Sequence, residues 1–172
     1  MKIVIMGYSG SGKSTLARKL GNYYHVDVLH LDRVHHLPYW KERSLEDEKK
    51  IVEQFLDNHT SWIIDGNYFK LSYDRRLAEA DLIILLLFNR IYSLYRVFKR
   101  YHIYKGKSRP DMTENCYEKM DMEFVKWVLL DGRTYDKRLC YQQIKTQYLN
   151  KVIVLKNQKQ VKNFETKKCK ML

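Results

Sequence analysis

A glycine-rich segment follows the first apolar run of the chain and carries a lysine among several hydroxyl side chains. Residues 7–14 read GYSGSGKS, which fits the pattern G-x-x-x-x-G-K-[ST] in full. Glycines let the backbone N–H groups of such a loop turn inward around an anion, and the helix that follows adds its N-terminal partial charge. This spacing predicts a loop that binds a polyphosphate. The residues predicted to hold the nucleotide are Gly7, Ser9, Gly10, Ser11, Gly12, Lys13, Ser14 and Thr15.

The end of this loop indicates which nucleotide and which metal to expect. Lys13 offers a mobile cation to the β- and γ-phosphates, and Ser14 offers a hydroxyl to Mg²⁺. A dinucleotide-binding loop is excluded by spacing, because no third glycine follows Gly12 at the required distance. The guanine-recognition patterns NKxD and DxxG do not occur in the sequence. We therefore expect ATP and Mg²⁺ as cofactors.

Two aspartates stand at the ends of predicted strands. Asp32 follows VLHL, and Asp65 follows WII. A Mg²⁺–ATP site of this kind needs a carboxylate at the carboxyl edge of a neighbouring strand. We expect Asp65 to contact the metal together with Ser14, and Asp32 to face the acceptor as a base or as a binding group. The alternative for both aspartates is a helix cap or a turn.

A basic stretch lies in the second half of the chain. Seven lysines and arginines and no acidic residue occur between Asn89 and Arg109. Arg96 and Arg100 are four residues apart, so they project from one face of a helix, and arginine forks match phosphate oxygens. Two alternatives remain open for this stretch. It could be a solvated basic face, or it could bind nucleic acid, because tyrosines are interleaved with the charges.

The elements that must position these residues alternate along the chain. The predicted strands are KIVIM, VDVLHLD, SWIIDG, ADLIILLLF and KVIVL, and the predicted helices cover residues 13–24, 45–57, 90–101, about 115–130 and 134–149, with a short last helix around VKNF. Such alternation predicts an α/β fold, with a five-stranded, mainly parallel sheet flanked by helices. Helix 90–101 places an apolar stripe on one face, and we expect Tyr92 and Tyr95 to pack with it. The stripe consists of Ile91, Leu94, Tyr95 and Phe98.

Bulk properties favour one domain with anionic ligands. The chain has 172 residues, 45% of them hydrophobic, which points to a single P-loop domain over residues 1–172. Its net charge of +12 indicates nucleotides, nucleic acid or a membrane surface as partners, or it reflects a lysine-rich surface without a functional role. No apolar run approaches the roughly 20 residues that span a bilayer, so we expect no membrane partner. The three cysteines form no CxxC pair, which is typical of a cytoplasmic protein. The polar segment 102–122 interrupts the alternation and predicts a lid.

Several segments together resemble a known family. GYSGSGKSTLARKL, HLDRVHHLPYW, WIIDGNY, RRLAEADLIILLLFNRIYSLYRVFKR, GKSRPDMTENCYEKMDMEFVKW and VIVLKN are similar to small bacterial P-loop kinases known as DNA topology modulation (FlaR-related) proteins, which are similar in turn to adenylate kinases. The resemblance runs through nearly the whole chain and implies an adenylate-kinase-like fold. It implies that Arg96, Arg100 and Arg138 close over the phosphates, with Arg133 a weaker candidate. It also implies that Arg76 binds an acceptor phosphate or the transferred group.

Taken together, these features predict an ATP-dependent phosphotransferase that moves the γ-phosphate to a nucleotide, a nucleoside or a similar small acceptor. The catalytic residues would be Lys13, Asp32, Arg96, Arg100 and Arg138. A phosphate acceptor needs an arginine clamp, whereas a hydroxyl acceptor profits from a carboxylate base, so Arg76 and Asp32 leave both acceptor classes open. His35, His36, Tyr39 and Trp40 are candidate acceptor-side surfaces. The alternative function is an ATP-binding, DNA-associated regulator with weak or no kinase activity, and the oligomeric state is left open.

Overall fold

The computed structural model describes residues 1–169, with side chains through residue 166. The helices and strands follow in the order β1 (Lys2–Gly7), α1 (Lys13–Tyr24), β2 (Val28–His30), α2 (Leu31–His35), β3 (His36–Leu37), β4 (Lys41–Glu42), α3 (Leu45–Asn58), β5 (Trp62–Asp65), α4 (Tyr73–Glu79), β6 (Leu82–Leu86), α5 (Arg90–Tyr104), α6 (Met122–Leu129), α7 (Tyr135–Gln147), β7 (Val152–Leu155) and α8 (Gln158–Cys169). Short 3₁₀ turns precede β4, α7 and β7.

Five parallel strands form the central sheet in the spatial order β2-β5-β1-β6-β7. Alternate residues of β1 point to opposite faces, so Val4 and Met6 join one apolar cluster while Ile3 and Ile5 join the other. Helices α3 and α7 cover the first face, and α1 and α8 cover the second. Burial on both faces explains the unbroken apolar runs of the strands. The predicted α/β fold with a five-stranded parallel sheet is confirmed.

The carboxyl ends of the strands meet at one edge of the sheet. Gly7 pairs with Leu86 on one side, and Asp65 pairs with Ile5 and His30 on the other. The loops that leave these strands are therefore neighbours, as the parallel topology requires. Helix α1 begins beside them at Lys13, and its N-cap Gly12 provides no side-chain cap. The first N–H groups of α1 are thus left for another partner.

Helix α5 forms where it was predicted but buries a different face. Ser93 and Val97 are fully buried, whereas Ile91 is 76% exposed and Tyr95 is 59% exposed. The reason is a close approach between α5 and the glycine loop, since a β-carbon on Gly10 would collide with Ser93 O and Val97 Cγ2. Small side chains must face that contact, and the larger apolar residues turn outward. The prediction that Tyr95 packs is therefore wrong, while Tyr92 is partly buried against the core.

Other differences concern short elements. Strand β2 ends at His30, so Asp32 lies in the first turn of α2 and not at a strand end. Helix α4 and the hairpin β3–β4 were not predicted, and α6 begins at residue 122 instead of near 115. Residues 105–121, which we call the lid segment, contain no helix or strand; a single β-bridge joins Ser108 and Tyr117. Within the described chain, every helix is too short or too polar to cross a membrane.

Candidate functional site

A cavity of about 1280 Å³ opens where the loops after β1, β2 and β5 meet. Its floor is formed by residues 8–10, residues 12–15 and Asp32, and residues 66–69 form part of its wall. Ser11 is buried and does not line it. Helix α5, the lid segment and α6 enclose the other sides. The predicted nucleotide loop, Asp32 and the lid segment thus border one space.

The glycine loop has the backbone geometry that its sequence predicts. Gly7, Gly10 and Gly12 have φ angles of 140°, 75° and 94°, a region in which L side chains are strained. The ammonium of Lys13 donates to Tyr8 O at 3.0 Å. Burial lowers the pKa of Lys13, and the carboxylates of Asp65 and Asp32 oppose that lowering. Lys13 forms no ion pair with the side chains that the structure describes, and a polyphosphate would provide the counter-charge of its ammonium.

Asn67 anchors the start of the glycine loop. Its Oδ1 accepts from Gly7 N at 3.0 Å, and its Nδ2 donates to Gly7 O at 2.8 Å. Both backbone polar groups of Gly7 are therefore paired by one amide side chain, which fixes the direction in which the loop leaves β1. We did not assign this role from sequence, although Asn67 lies in the segment WIIDGNY that carried the family resemblance.

The predicted metal ligands fit a magnesium ion completed by phosphates. Asp65 is 4% exposed; its Oδ2 lies 3.0 Å from His30 Nδ1, and its Oδ1 is buried without a hydrogen-bond partner. Ser14 lines the cavity, whereas Asp65 lies behind its lining. The described residues contain no cluster of three His, Cys, Asp or Glu side chains arranged for a metal. Mg²⁺ commonly binds through one or two carboxylates plus substrate phosphates, so Asp65 and Ser14 are suitable ligands.

Asp32 lies across the cavity floor with one oxygen engaged. The hydroxyl of Tyr68 donates to Asp32 Oδ1 at 2.9 Å. Burial raises the pKa of Tyr68, and the charge of Asp32 adds to that rise, so the phenol remains a donor. In the part of the chain that the structure describes, Asp32 Oδ2 has no hydrogen bond or ion pair. That oxygen is available to a ligand.

Histidines and a tryptophan form the wall next to Asp32. His35 Nδ1 lies 2.6 Å from the buried Glu48 carboxylate, and the His35 ring contacts Tyr68 at 5.1 Å between centroids. Burial lowers the pKa of His36, and the neighbouring charge of His35 acts in the same direction. The His36 ring meets the Trp40 ring edge-on at 5.0 Å. These side chains line the cavity as predicted, whereas Tyr39 is exposed.

The lid segment rests on this wall. Thr113 Oγ1 donates to His36 O, Cys116 Sγ donates to Leu37 O at 3.3 Å, and Trp40 Nε1 donates to Tyr117 O at 3.1 Å. The structure therefore shows the lid segment closed against the loop that follows α2.

Two arginines of the cavity are paired with lid carboxylates. Arg100 Nε donates to Glu118 Oε1 at 2.7 Å, and Arg109 Nε lies 2.8 Å from Glu118 Oε2. Arg109 also donates to Asp111 at 3.0 Å. Burial lowers the pKa of Arg100, and the charge of Arg109 adds to that effect. The lid carboxylates occupy the arginine forks that phosphate oxygens would otherwise accept from.

Arg96 lies at the glycine loop itself. A β-carbon at Gly12 would collide with Arg96 Nη2, and Nη1 donates to Gln158 Oε1. Beside the loop, Trp127 Nε1 donates to Ser9 Oγ at 3.3 Å, and Lys137 Nζ lies 3.7 Å from the centre of the Trp127 ring. Sequence reasoning missed Trp127 and Lys137, because nothing in their spacing distinguishes them from packing or surface residues.

Three predicted arginines lie outside the cavity lining. Arg76 is 1% exposed and donates to Leu71 O at 2.7 Å and Tyr68 O at 2.6 Å, so the expectation of an acceptor contact is corrected to a brace for the loop that carries Tyr68. Burial lowers the pKa of Arg76 to about 10. Arg138 is exposed on α7, which does not fit a contact with the transferred phosphate. Arg133 is buried and donates to backbone carbonyls.

The fold is similar to that of solved proteins. The shikimate kinase from Acinetobacter baumannii, in complex with shikimate, matches with a TM-score of 0.60 and 15% identity over 99% of this chain and 91% of that chain. An uncharacterized protein from Eubacterium ventriosum ATCC 27560 matches with a TM-score of 0.45 and 15% identity over 91% of this chain and 89% of that chain. No protein-family model and no curated protein matches the chain, so the link to the DNA topology modulation family remains a resemblance. The likeness to the shikimate kinase shows the fold alone: this chain has a P-loop NTPase fold with a five-stranded parallel sheet.

Proposed function

We propose that the protein is an ATP-dependent phosphotransferase that moves the γ-phosphate of Mg²⁺–ATP to a small-molecule acceptor. One observation carries the proposal: the glycine loop with Lys13 and the free oxygen of Asp32 border the same cavity, closed by the lid segment. A donor phosphate on the loop would therefore face an acceptor at Asp32. The fold shared with a shikimate kinase supports a kinase by analogy only.

On the donor side, the loop amides and Lys13 would hold the β- and γ-phosphates. Mg²⁺, held by Ser14 and Asp65, would supply positive charge to the phosphate oxygens. Arg96 lies against the loop at Gly12 and would contact the phosphates from the side of α5. Arg100 would also contact the phosphates once a phosphate oxygen replaces the Glu118 carboxylate as its hydrogen-bond acceptor. These groups neutralise the charge that develops in a loose phosphoryl-transfer transition state.

On the acceptor side, Asp32 would orient the attacking group through its Oδ2. The Tyr68 hydroxyl holds Oδ1, so the carboxylate has one orientation. Arg76 supports this geometry indirectly, because it binds the carbonyl of Tyr68. We also propose that this chain is related to the small bacterial P-loop kinases that its segments WIIDGNY and GKSRPDMTENC resemble.

Two measurements test the proposed function. Calorimetry should detect binding of ATP in the presence of Mg²⁺, and release of ADP should increase when a suitable acceptor is added. The DNA-associated alternative predicts instead an affinity for duplex DNA that falls steeply with salt. Absence of heat with Mg²⁺–ATP would refute the kinase, and salt-sensitive duplex binding without any acceptor-dependent turnover would favour the regulator.

A further inference from the structure

We propose that the acceptor is an unphosphorylated molecule with a hydroxyl and a planar ring, as in a nucleoside, and that Asp32 takes the proton of that hydroxyl. The inference rests on the proposed function and narrows its acceptor class. Three features of the cavity next to Asp32 support it: the negative charge of the neighbouring side chains, the lack among the described residues of an arginine fork that faces this end, and the aromatic rings of His36 and Trp40 in the cavity wall.

The charges around Asp32 disfavour a phosphate. The charged groups that act on the Tyr68 hydroxyl, which is bound to Asp32, are Asp32 itself, Glu48 and Asp65, whereas the cation that Asp32 acts on is Lys13 of the glycine loop, on the donor side. His35 is matched by Glu48 at 2.6 Å, so it does not leave a net positive charge. A phosphate monoester carries close to two negative charges at neutral pH and would meet repulsion here. An uncharged hydroxyl compound would not.

The arginines near this end already have partners in the described structure. Arg76 is buried against two backbone carbonyls, and Arg75 binds Asp57 and Glu79. Arg43 donates to Val34 O at 2.8 Å. Arg43, Arg75 and Arg76 do not line the cavity, so none of them presents a fork for the bidentate contact that recognises an acceptor phosphate.

Arg109 shares Glu118 with Arg100. Burial lowers the pKa of Lys13, and the charges of both arginines act in the same direction. Arg109 therefore belongs with Arg100 to the donor side.

Two further cations of the cavity do not alter this conclusion. Arg18 is four residues after Ser14 on α1 and therefore shares its helix face, which assigns it to the donor side. Lys119 of the lid segment is exposed and lies 5.4 Å from the centre of the Trp40 ring. An exposed lysine contributes little to the binding of an anion, because water screens its charge.

The aromatic wall suits a planar ring. Trp40 and His36 pack edge-on and both line the cavity. Tyr39 and Trp40 have φ angles of 63° and 62°, a strained conformation for residues with side chains. Strain of this kind is maintained where the surroundings require one side-chain position. Here the lid segment holds Trp40 through Tyr117 O, so the indole forms a fixed surface on which a ring can stack.

The chemical step follows from the free oxygen of Asp32. The acceptor hydroxyl donates to Asp32 Oδ2, and its proton passes to that carboxylate. The hydroxyl oxygen forms a bond to the γ-phosphorus. The bond from the γ-phosphorus to the β,γ-bridging oxygen breaks, and that oxygen leaves with ADP. Tyr68 stays protonated throughout and keeps Asp32 in place.

The test compares nucleosides with their own 5′-monophosphates. Purine and pyrimidine nucleosides and deoxynucleosides, each paired with its monophosphate, are offered with Mg²⁺–ATP, and transfer is followed by ADP release. We expect kcat/KM for at least one nucleoside to exceed that of its monophosphate by about 10-fold or more, the loss expected for a poorly matched charge. Asp32→Asn should lower kcat with that nucleoside by about 10²- to 10⁴-fold and leave the Kd for Mg²⁺–ATP within about twofold.

A second variant tests the wall. Trp40→Ala should raise KM for the ring-bearing acceptor more than it lowers kcat, and Trp40→Phe should restore most of the loss, because stacking needs a ring and not an indole. Faster turnover of monophosphates, or no transfer to any nucleoside by protein that binds Mg²⁺–ATP, overturns the acceptor inference alone. Failure to bind Mg²⁺–ATP overturns the proposed function as well.

Discussion

The guanidinium of Arg96 lies directly against the α-carbon of Gly12, so that a β-carbon at position 12 would overlap Nη2. Gly12 is also the N-cap of α1 and has a φ of 94°. The glycine therefore contributes in two ways. Its positive φ lets the backbone turn its N–H groups toward an anion, and its missing side chain leaves room for Nη2 of Arg96 in the position that the structure shows.

Gly12→Ala should weaken Mg²⁺–ATP binding strongly while the protein remains folded. The methyl group is strained by the positive φ and displaces Arg96. Gly106→Ala is a matched control, because Gly106 also has a positive φ, 71°, but has no atom within 4 Å of the added β-carbon. Calorimetry should show a Kd raised by about 10-fold or more for Gly12→Ala and nearly unchanged for Gly106→Ala. A Kd for Gly12→Ala that stays within about twofold of the parent would contradict the role of Gly12 in binding Mg²⁺–ATP.

Lys13→Met should abolish turnover. The ammonium is the cation at the centre of the glycine loop, and removal of one group that stabilises developing charge costs about 10²- to 10³-fold in kcat. Lys19→Met is the control on the same helix, since Lys19 is paired with Glu165 at the surface. Single-turnover transfer from labelled ATP measures both. Full activity of the Lys13 variant would contradict the proposed role.

The same substitution should stabilise the protein at neutral pH. Burial lowers the pKa of Lys13 in the folded chain below 10.5, its ordinary value, which applies to the unfolded chain. Between these two pKa values the unfolded chain binds more protons than the folded chain. The contribution of Lys13 to stability therefore increases as pH rises through this window. Below the window its contribution is least favourable. We therefore expect Lys13→Met to have a higher Tm than the parent at pH 7, as measured by thermal unfolding. The difference should shrink as pH approaches 10.5.

The long elements and the glycine loop were predictable from sequence because their signals are local. Strand β6 is buried along its whole length, and LIILL shows this directly in its composition. The glycine loop is specified by backbone geometry, which glycine spacing reports. Helix α4 has seven residues and starts after Ser72, whose φ is 45°, so it has too few turns to show a periodicity. The hairpin strands β3 and β4 have two residues each, which is too short to show the alternation of apolar and polar residues that predicts a strand.

The parts of the site that could not be predicted depend on tertiary contacts. Arg76 and Arg100 are both arginines at predicted site positions, and the sequence does not distinguish them. In the structure Arg76 is buried against carbonyls, while Arg100 faces the cavity. Their difference arises from the chain that packs around each of them. The outward apolar face of α5 has the same origin, since the approach of Gly10 to Ser93 decides which side is buried. Pairwise closeness of this kind leaves no trace in a single sequence.

Arg100→Ala should lower kcat much more than it raises the Kd for ATP. In the described structure Arg100 is held by Glu118, so its exchange to a phosphate would be complete only when charge develops on the transferring group. Arg90→Ala, at the exposed start of the same helix, serves as the control. Steady-state kinetics together with ATP titration separate the two constants. A change confined to ATP affinity would show that Arg100 binds the ground state and has no role in the transition state.

Arg133→Met and Arg138→Met should separate a structural arginine from an exposed one. Arg133 donates to Phe88 O at 2.7 Å, to Val128 O at 2.9 Å and to Ser93 Oγ at 2.9 Å. Its loss leaves buried acceptors unpaired, which costs about 3 kcal/mol and lowers Tm by about 6–12 °C.

Arg138 is exposed, so Arg138→Met should change stability by less than about 0.5 kcal/mol and leave kcat within about twofold of the parent, because the side chain does not line the cavity. Thermal unfolding and kinetics on the same preparations measure both. A drop in kcat of about 100-fold in the Arg138 variant, with Tm unchanged, would restore the phosphate-binding role that the family resemblance implies, and it would require α7 to rotate toward the glycine loop when ATP binds.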